Sequence, residues 1–189
     1  MTVNIKEIIA DKVVKEQYNV RNDLQHLSVP EIREHQPKNN FAVAIINVTG
    51  ELNVGTIIRS AVIFGADKIY MFGRKRYDKR SVVGAHNYID IEYHDIFKDN
   101  IADENSLDIF YKMLKVDGYQ PIICDTGGVS YDCIDYFTAP CFIFGNEGLG
   151  VPEQLIEQCS LISIQQHGVM RSLNVSVAAG IIMNGYVNV

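Results

Sequence analysis

From Phe41 onward the chain is built of short apolar runs, FAVAIINV, KIYMF, YIDIEYH, PIICDT, CFIFG and LISI. Runs this short, rich in β-branched and aromatic residues, fit buried strands better than helices. Helical patterns lie between them. One spans residues 54–64 after Asn53 as N-cap, and a second spans 105–116 before Gly118 as C-cap. A short third opens with Pro152 at its first position, and the last covers about residues 173–183 after Ser172. Strands alternating with helices predict an α/β fold with a largely parallel sheet flanked by helices. Ligands then bind beyond the carboxyl ends of the strands.

Residues 1–40 differ in character: a mixed-charge helix over residues 5–18 and then a polar stretch with Pro30 and Pro37. They read as an extension to a domain covering residues 41–189, a length suited to one hydrophobic core. No apolar run of about 18 residues is present, and the amino terminus is charged every few residues, so the expectation is a cytoplasmic protein without a membrane partner. Cys124, Cys133, Cys141 and Cys159 form no Cys-x-x-Cys pair and accompany no histidine cluster. They read as reduced thiols, and no metal is expected.

Charge is unevenly placed. The total is −6, an unpromising start for a nucleic-acid binder. Residues 73–80 nevertheless carry +4, through Arg74, Lys75, Arg76, Lys79 and Arg80 against Asp78, while residues 90–108 carry −6. The basic run is either a solvated loop or a patch for an anionic partner. From Ser172 to Val189 no residue is charged. A helix apolar on most sides must be enclosed by its own chain or by another subunit, which points to a homodimer.

Three constellations could carry chemistry. In the first, Asn53 and Gly55 mark a strand-to-helix connection whose free N–H groups favour an anion. Arg59 is the sole charge between Val54 and Ala66, and it snorkels, pairs with an acid or holds a phosphate. In the second, three glycines surround Asn146 and Glu147 at the end of a strand, either as a plain turn or as a loop that brings backbone close to a ligand. In the third, Ser172 and Asn174 begin the last helix, where capping is the obvious role, and His167 precedes Gly168 in an exposed-looking loop.

Taken together, N-x-G-x-x-x-R at residues 53–59, F-G-N-E-G-x-G at 144–150 and S-L-N-V-S-V-A at 172–178 resemble the three motifs of the SpoU/TrmH branch of the SPOUT RNA methyltransferases. The resemblance covers residues 41–186. It implies a SPOUT fold in which the carboxyl-terminal segment forms a deep trefoil knot around S-adenosylmethionine, a topology no sequence rule would suggest. It also implies a homodimer through the first motif's helix and the last helix.

Carried over by position, Arg59, Asn53, Glu147, Ser172 and Asn174 form the catalytic group. Thr126, Gly127, Gly145, Asn146, Ile164, Leu173 and Asn174 form the cofactor site. The implied reaction moves a methyl group to a ribose 2′-hydroxyl of RNA. An arginine is too basic to take the hydroxyl proton, so Arg59 is expected to clamp the neighbouring phosphate, with Glu147 orienting it or another group. Arg59, Arg171 and the five cations of residues 74–80 form the expected RNA surface. The Gln166-x-Gly168-x-x-Arg171-Ser-Leu-Asn pattern leans toward the tRNA guanosine enzymes of the branch. The alternatives are a catalytically silent knotted RNA-binding dimer and a dinucleotide-dependent Rossmann-like enzyme, the latter disfavoured by the missing G-x-G-x-x-G.

Overall fold

The computed structural model describes residues 19–133 and 139–188, and the helix expected over residues 5–18 lies outside them. The chain divides into two compact units, residues 1–36 and 37–189. In the first, the stretch read as merely polar contains helix α1, Val29–His35, after a 3-10 turn at Asn22–Leu24. A capping box starts it. The Ser28 N–H and hydroxyl donate to Glu31 Oε2 at 2.7 and 2.5 Å, and Pro30 occupies the first turn, where no N–H is needed. Ser28-x-x-Glu31 is the local sequence signal for this helix start.

The second unit holds a sheet of six strands: β1 Ala42–Ile46, β2 Lys68–Phe72, β3 Asp90–His94, β4 Gln120–Ser130, β5 Pro140–Phe144 and β6 Ser160–Ser163. Their order is β3-β2-β1-β5-β4-β6, and every pairing is parallel, as the strand runs predicted. The helices are α2 Glu51–Ile63, α3 Lys79–Val82, α4 Glu104–Asp117, α5 Glu153–Ile156 and α6 Val175–Val187.

Both faces of the sheet are covered, which is why the central strands read as unbroken apolar runs instead of alternating ones. Val43, Ile45, Met71, Phe142 and Phe144 pack toward Ile57, Ile58 and Ala61 of α2 and Ile182 and Met183 of α6. Ala44, Ile46, Tyr70, Phe72 and Ile143 face Phe110 and Leu114 of α4 and Leu155 of α5. Each fully buried large side chain contributes roughly 1.5–3 kcal/mol.

Helix ends move from their expected places for identifiable reasons. α2 begins at Glu51 with Gly50 as N-cap, so Asn53 lies within the first turn and is not the cap. α6 begins at Val175, and Asn174 caps it, its Oδ1 accepting from the Ser176 N–H at 2.9 Å, which displaces Ser172 from that role. α4 starts one residue early because Asp103 caps it through the Ser106 N–H at 2.7 Å, and it ends at Gly118 with φ +80°. Pro152 is the cap of α5 and not its first residue. Gly55 stands inside α2, where an added Cβ would lie 2.0 Å from Ser81 Oγ. The motif glycine therefore lets the segment around α3 cross the helix, and it plays no part in an anion-binding turn.

The topology sets the location of the site. The chain runs outward from β1 to β3, then crosses to the other half of the sheet through α4. The switch falls between β1 and β5, whose carboxyl ends open a crevice.

Candidate functional site

The loop after β1 and the loop after β5 meet in that crevice through one carboxylate. Glu147 Oε2 accepts from the N–H and hydroxyl of Thr49, both at 2.9 Å. Its Oε1 accepts from the Gly50 N–H and from Asn53 Nδ2, also at 2.9 Å. The anion at the amino terminus of α2, which the sequence left open to a ligand, is thus supplied by the chain itself from 97 residues away. Of the groups Glu147 was expected to orient, the structure selects Asn53 and not Arg59.

Burial pushes the Glu147 carboxyl up, but donation from Asn53 and from the main chain of Thr49 and Gly50 outweighs it and holds the carboxyl at about 2. Because the folded value lies below the ordinary 4.5, the stabilisation is present above pH 4.5 and is lost as pH falls toward 2. Unfolding midpoints measured across that interval should fall more steeply for the native protein than for Glu147→Gln. Parallel curves would remove the assignment.

The carboxylate accepts only, so Asn53 must present its amide nitrogen to Glu147 and its oxygen the other way. That oxygen accepts from Asn174 Nδ2 at 3.1 Å and lies 3.5 Å from the Ser176 hydroxyl. Asn174 Oδ1 in turn accepts from the Ser176 hydroxyl at 2.7 Å. A relay Glu147–Asn53–Asn174 thus joins all three motifs at the start of α6. Thr49 and Ser176, both hydroxyl donors in the relay, were not singled out from the sequence.

Beside the relay lies a cavity of about 750 Å³ at the carboxyl ends of β5 and β6 and along the middle of β4. Small-molecule sites run from roughly 300 to 1,000 Å³. Phe144, Ile162, Ile164, Leu173, Ala178 and Ile182 form its apolar wall, and Asp125, Thr126, Arg171 and Ser172 its polar one. The loop of residues 145–150 folds back on itself: the Asn146 N–H donates to Gly150 O at 3.0 Å, and the Gly150 N–H returns to Asn146 O at 2.9 Å. Asn146 Oδ1 accepts from the N–H groups of Gly148 and Leu149 at 2.9 and 3.0 Å, and its Nδ2 donates to Asn47 O at 2.8 Å. Asn146 borders the cavity, yet its side chain is spent on holding the loop.

The cavity therefore gathers Thr126, Gly145, Asn146, Glu147, Ile164, Arg171, Ser172, Leu173 and Asn174. Gly127 is not among its lining residues, and neither are Asn53, Arg59 or the five cations of residues 74–80. Arg59 is exposed on α2 and makes no hydrogen bond or ion pair among the described residues. It shares its side of the helix with Leu52, Thr56 and Ile63, spaced three to four residues apart. Asp125 was missed by sequence reading, although its place at the carboxyl end of a predicted strand was a usable signal. It sits where β4 shifts register against β6, between Cys124 and Val129.

Fold and site together define a doubly wound parallel α/β protein with a cavity of small-molecule size beside the switch point of its sheet. The chain matches the SpoU rRNA Methylase family over residues 40–184 and belongs to it. It is 29% identical over 148 residues to an uncharacterized tRNA/rRNA methyltransferase of Mycolicibacterium gilvum, covering 75% of this chain and 44% of that one. It is 27% identical over 147 residues to another of Archaeoglobus fulgidus, covering 76% and 62%. The chain thus spans about half the length of these curated relatives. Among solved structures, the A. aeolicus TrmH/SpoU tRNA modifying enzyme superposes with a TM-score of 0.70 at 26% identity, over 84% of this chain and 80% of that one. The AdoMet-bound rRNA methyltransferase from Sinorhizobium meliloti superposes with a TM-score of 0.66 at 28% identity, over 82% and 59%.

Proposed function

We propose that the protein is an S-adenosylmethionine-dependent RNA methyltransferase acting on a ribose 2′-hydroxyl, with a guanosine-type tRNA substrate favoured over rRNA. The observation that carries this reading is the relay Glu147–Asn53–Asn174, which brings the three motifs together at the rim of a cavity of cofactor size. The A. aeolicus tRNA modifying enzyme and the AdoMet-bound S. meliloti enzyme support it, and the Gln166-to-Asn174 pattern supports the tRNA preference.

The cavity suits the cofactor chemically. Apolar residues from β5, β6 and α6 offer a slot for a flat base, while Asp125, Thr126 and Ser172 offer partners for hydroxyl, amino and carboxyl groups. When bound, S-adenosylmethionine supplies a methyl group already activated on its sulfonium. The protein has then to align the ribose hydroxyl and stabilise charge. Glu147, saturated by four donors and titrating at about 2, takes no proton at neutral pH. It fixes Asn53, which fixes Asn174 at the edge of the cavity.

Arg59 lies away from the cavity of its own chain. A second copy docking on the outer side of α2 and α6, where Leu52, Ile63 and Val177 are 57, 66 and 49% exposed, would bring Arg59 toward the partner's cavity to clamp the RNA phosphate. Threading of the segment after β6 as a trefoil knot belongs to the same reading, supported by α6 returning from the sheet edge to pack beside α2.

Incubation with labelled S-adenosylmethionine and total tRNA or rRNA, followed by mapping of the product, tests the activity. A 2′-O-methylated nucleotide is expected, and absence of ribose methylation on every RNA would overturn the reading. Arg59→Lys should lower turnover about tenfold or more, since an ammonium cannot grip phosphate in two places. Near-normal turnover in that variant would remove the clamp.

A further inference from the structure

The cations after β2 are not equivalent. Arg80 Nη2 meets Asp78 Oδ2 at 2.6 Å, and Arg74 Nη2 meets Glu51 Oε1 at 3.4 Å. Lys75, Arg76 and Lys79 have no carboxylate partner among the described residues. The Lys75 ammonium instead lies 5.9 Å from the centre of the Tyr93 ring.

Tyr93 stands on β3, the edge strand, and is 39% exposed. Burial and the neighbouring Tyr77 raise its phenol above the ordinary value, and the Tyr77 ring itself lies against His86 with centres 5.6 Å apart. Alternation along β3 sends Glu92 to the other face, where it pairs with Lys68 at 2.8 Å, so this acid does not face the ring. The whole segment is fastened next to the relay. The Gly73 N–H donates to His94 O at 3.0 Å, and the Asp78 N–H to Glu51 O at 2.9 Å, two residues before Asn53.

We propose that Tyr93 is a stacking platform for an unpaired base of the substrate RNA, with Lys75 leaving the ring for that nucleotide's phosphate. The inference rests on the RNA reading above and adds the class of RNA: one that offers an unstacked nucleotide, such as a loop, and not continuous duplex. Bases inside a duplex already stack on their neighbours and have no free face. A base stacked on tyrosine outweighs a long contact between an ammonium and a ring, and the freed ammonium gains a phosphate, so the exchange runs toward binding.

The test compares a short fluorescein-labelled single-stranded RNA with the same strand annealed to its complement, titrated with native protein, Tyr93→Leu and Tyr93→Phe. Native protein should prefer the single strand. Tyr93→Leu should weaken single-strand binding about tenfold and leave duplex and S-adenosylmethionine affinities unchanged, the latter reporting an intact fold. Tyr93→Phe, which keeps the ring, should bind within about twofold of native. Native-like single-strand affinity in Tyr93→Leu would overturn the platform alone. Failure of the native protein to bind either RNA at low salt would overturn the RNA reading, and the platform with it.

Discussion

Glu147→Gln is expected to lower the rate of methyl transfer by about a hundredfold or more while lowering stability by only about 1 kcal/mol. The substitution keeps size and shape. It places an amide nitrogen, itself a donor, against either the Thr49 pair or the Gly50–Asn53 pair, so two of four bonds become donor facing donor. Water reaches the exposed side chain and limits the thermodynamic loss. Asn53, however, loses the partner that fixes which way its amide points, and Asn174 loses its acceptor in turn. Single-turnover transfer and urea unfolding measured on the same variant separate the two effects. Glu147→Gln combined with Asn53→Ala should cost little more than either alone, because both act through one relay. A native rate in the single variant, or full additivity in the pair, would show that the relay does not govern the reaction.

Gly145→Ala should remove S-adenosylmethionine binding and destabilise the protein by about 3 kcal/mol, whereas Gly148→Ala, three residues on in the same loop, should be nearly neutral. A Cβ on Gly145 would lie 2.4 Å from the carbonyl of Gly150 and 2.5 Å from Val151 N, main-chain atoms that can move only if the loop unfolds. At Gly148 the nearest atom is Asn146 Oδ1, at 3.5 Å, an ordinary contact. Calorimetric titration with the cofactor, paired with denaturant unfolding, reads the contrast. Equal behaviour of the two variants would mean that the tight return of the loop plays no part in shaping the cavity.

The same glycines mark where sequence reasoning stops. Three glycines around Glu147 announced a tight loop, but nothing local distinguishes Gly145 from Gly148. The difference lies in which of them meets the returning backbone.

The strands, their parallel pairing and most helices could be read from the chain because they depend on local pattern: continuous apolar runs where both faces are buried, and a cap such as Gly118 that acts within a turn. The candidate residues could be named as well, since they are chemically unusual where they stand, Glu147 being a lone charge in an apolar run and Arg59 another. Their roles could not. That the anion at the start of α2 is Glu147, that Asn146 spends its amide on Asn47, and that Arg80 is bound to Asp78 while Lys75 rests on Tyr93 all follow from contacts. Two of these contacts join residues 97 and 99 positions apart, and one-dimensional pattern carries no record of which distant groups the sheet order brings together. Local free energies select elements, whereas the meeting of β1 and β5 at the switch point selects partners, and chemistry at this site depends on partners.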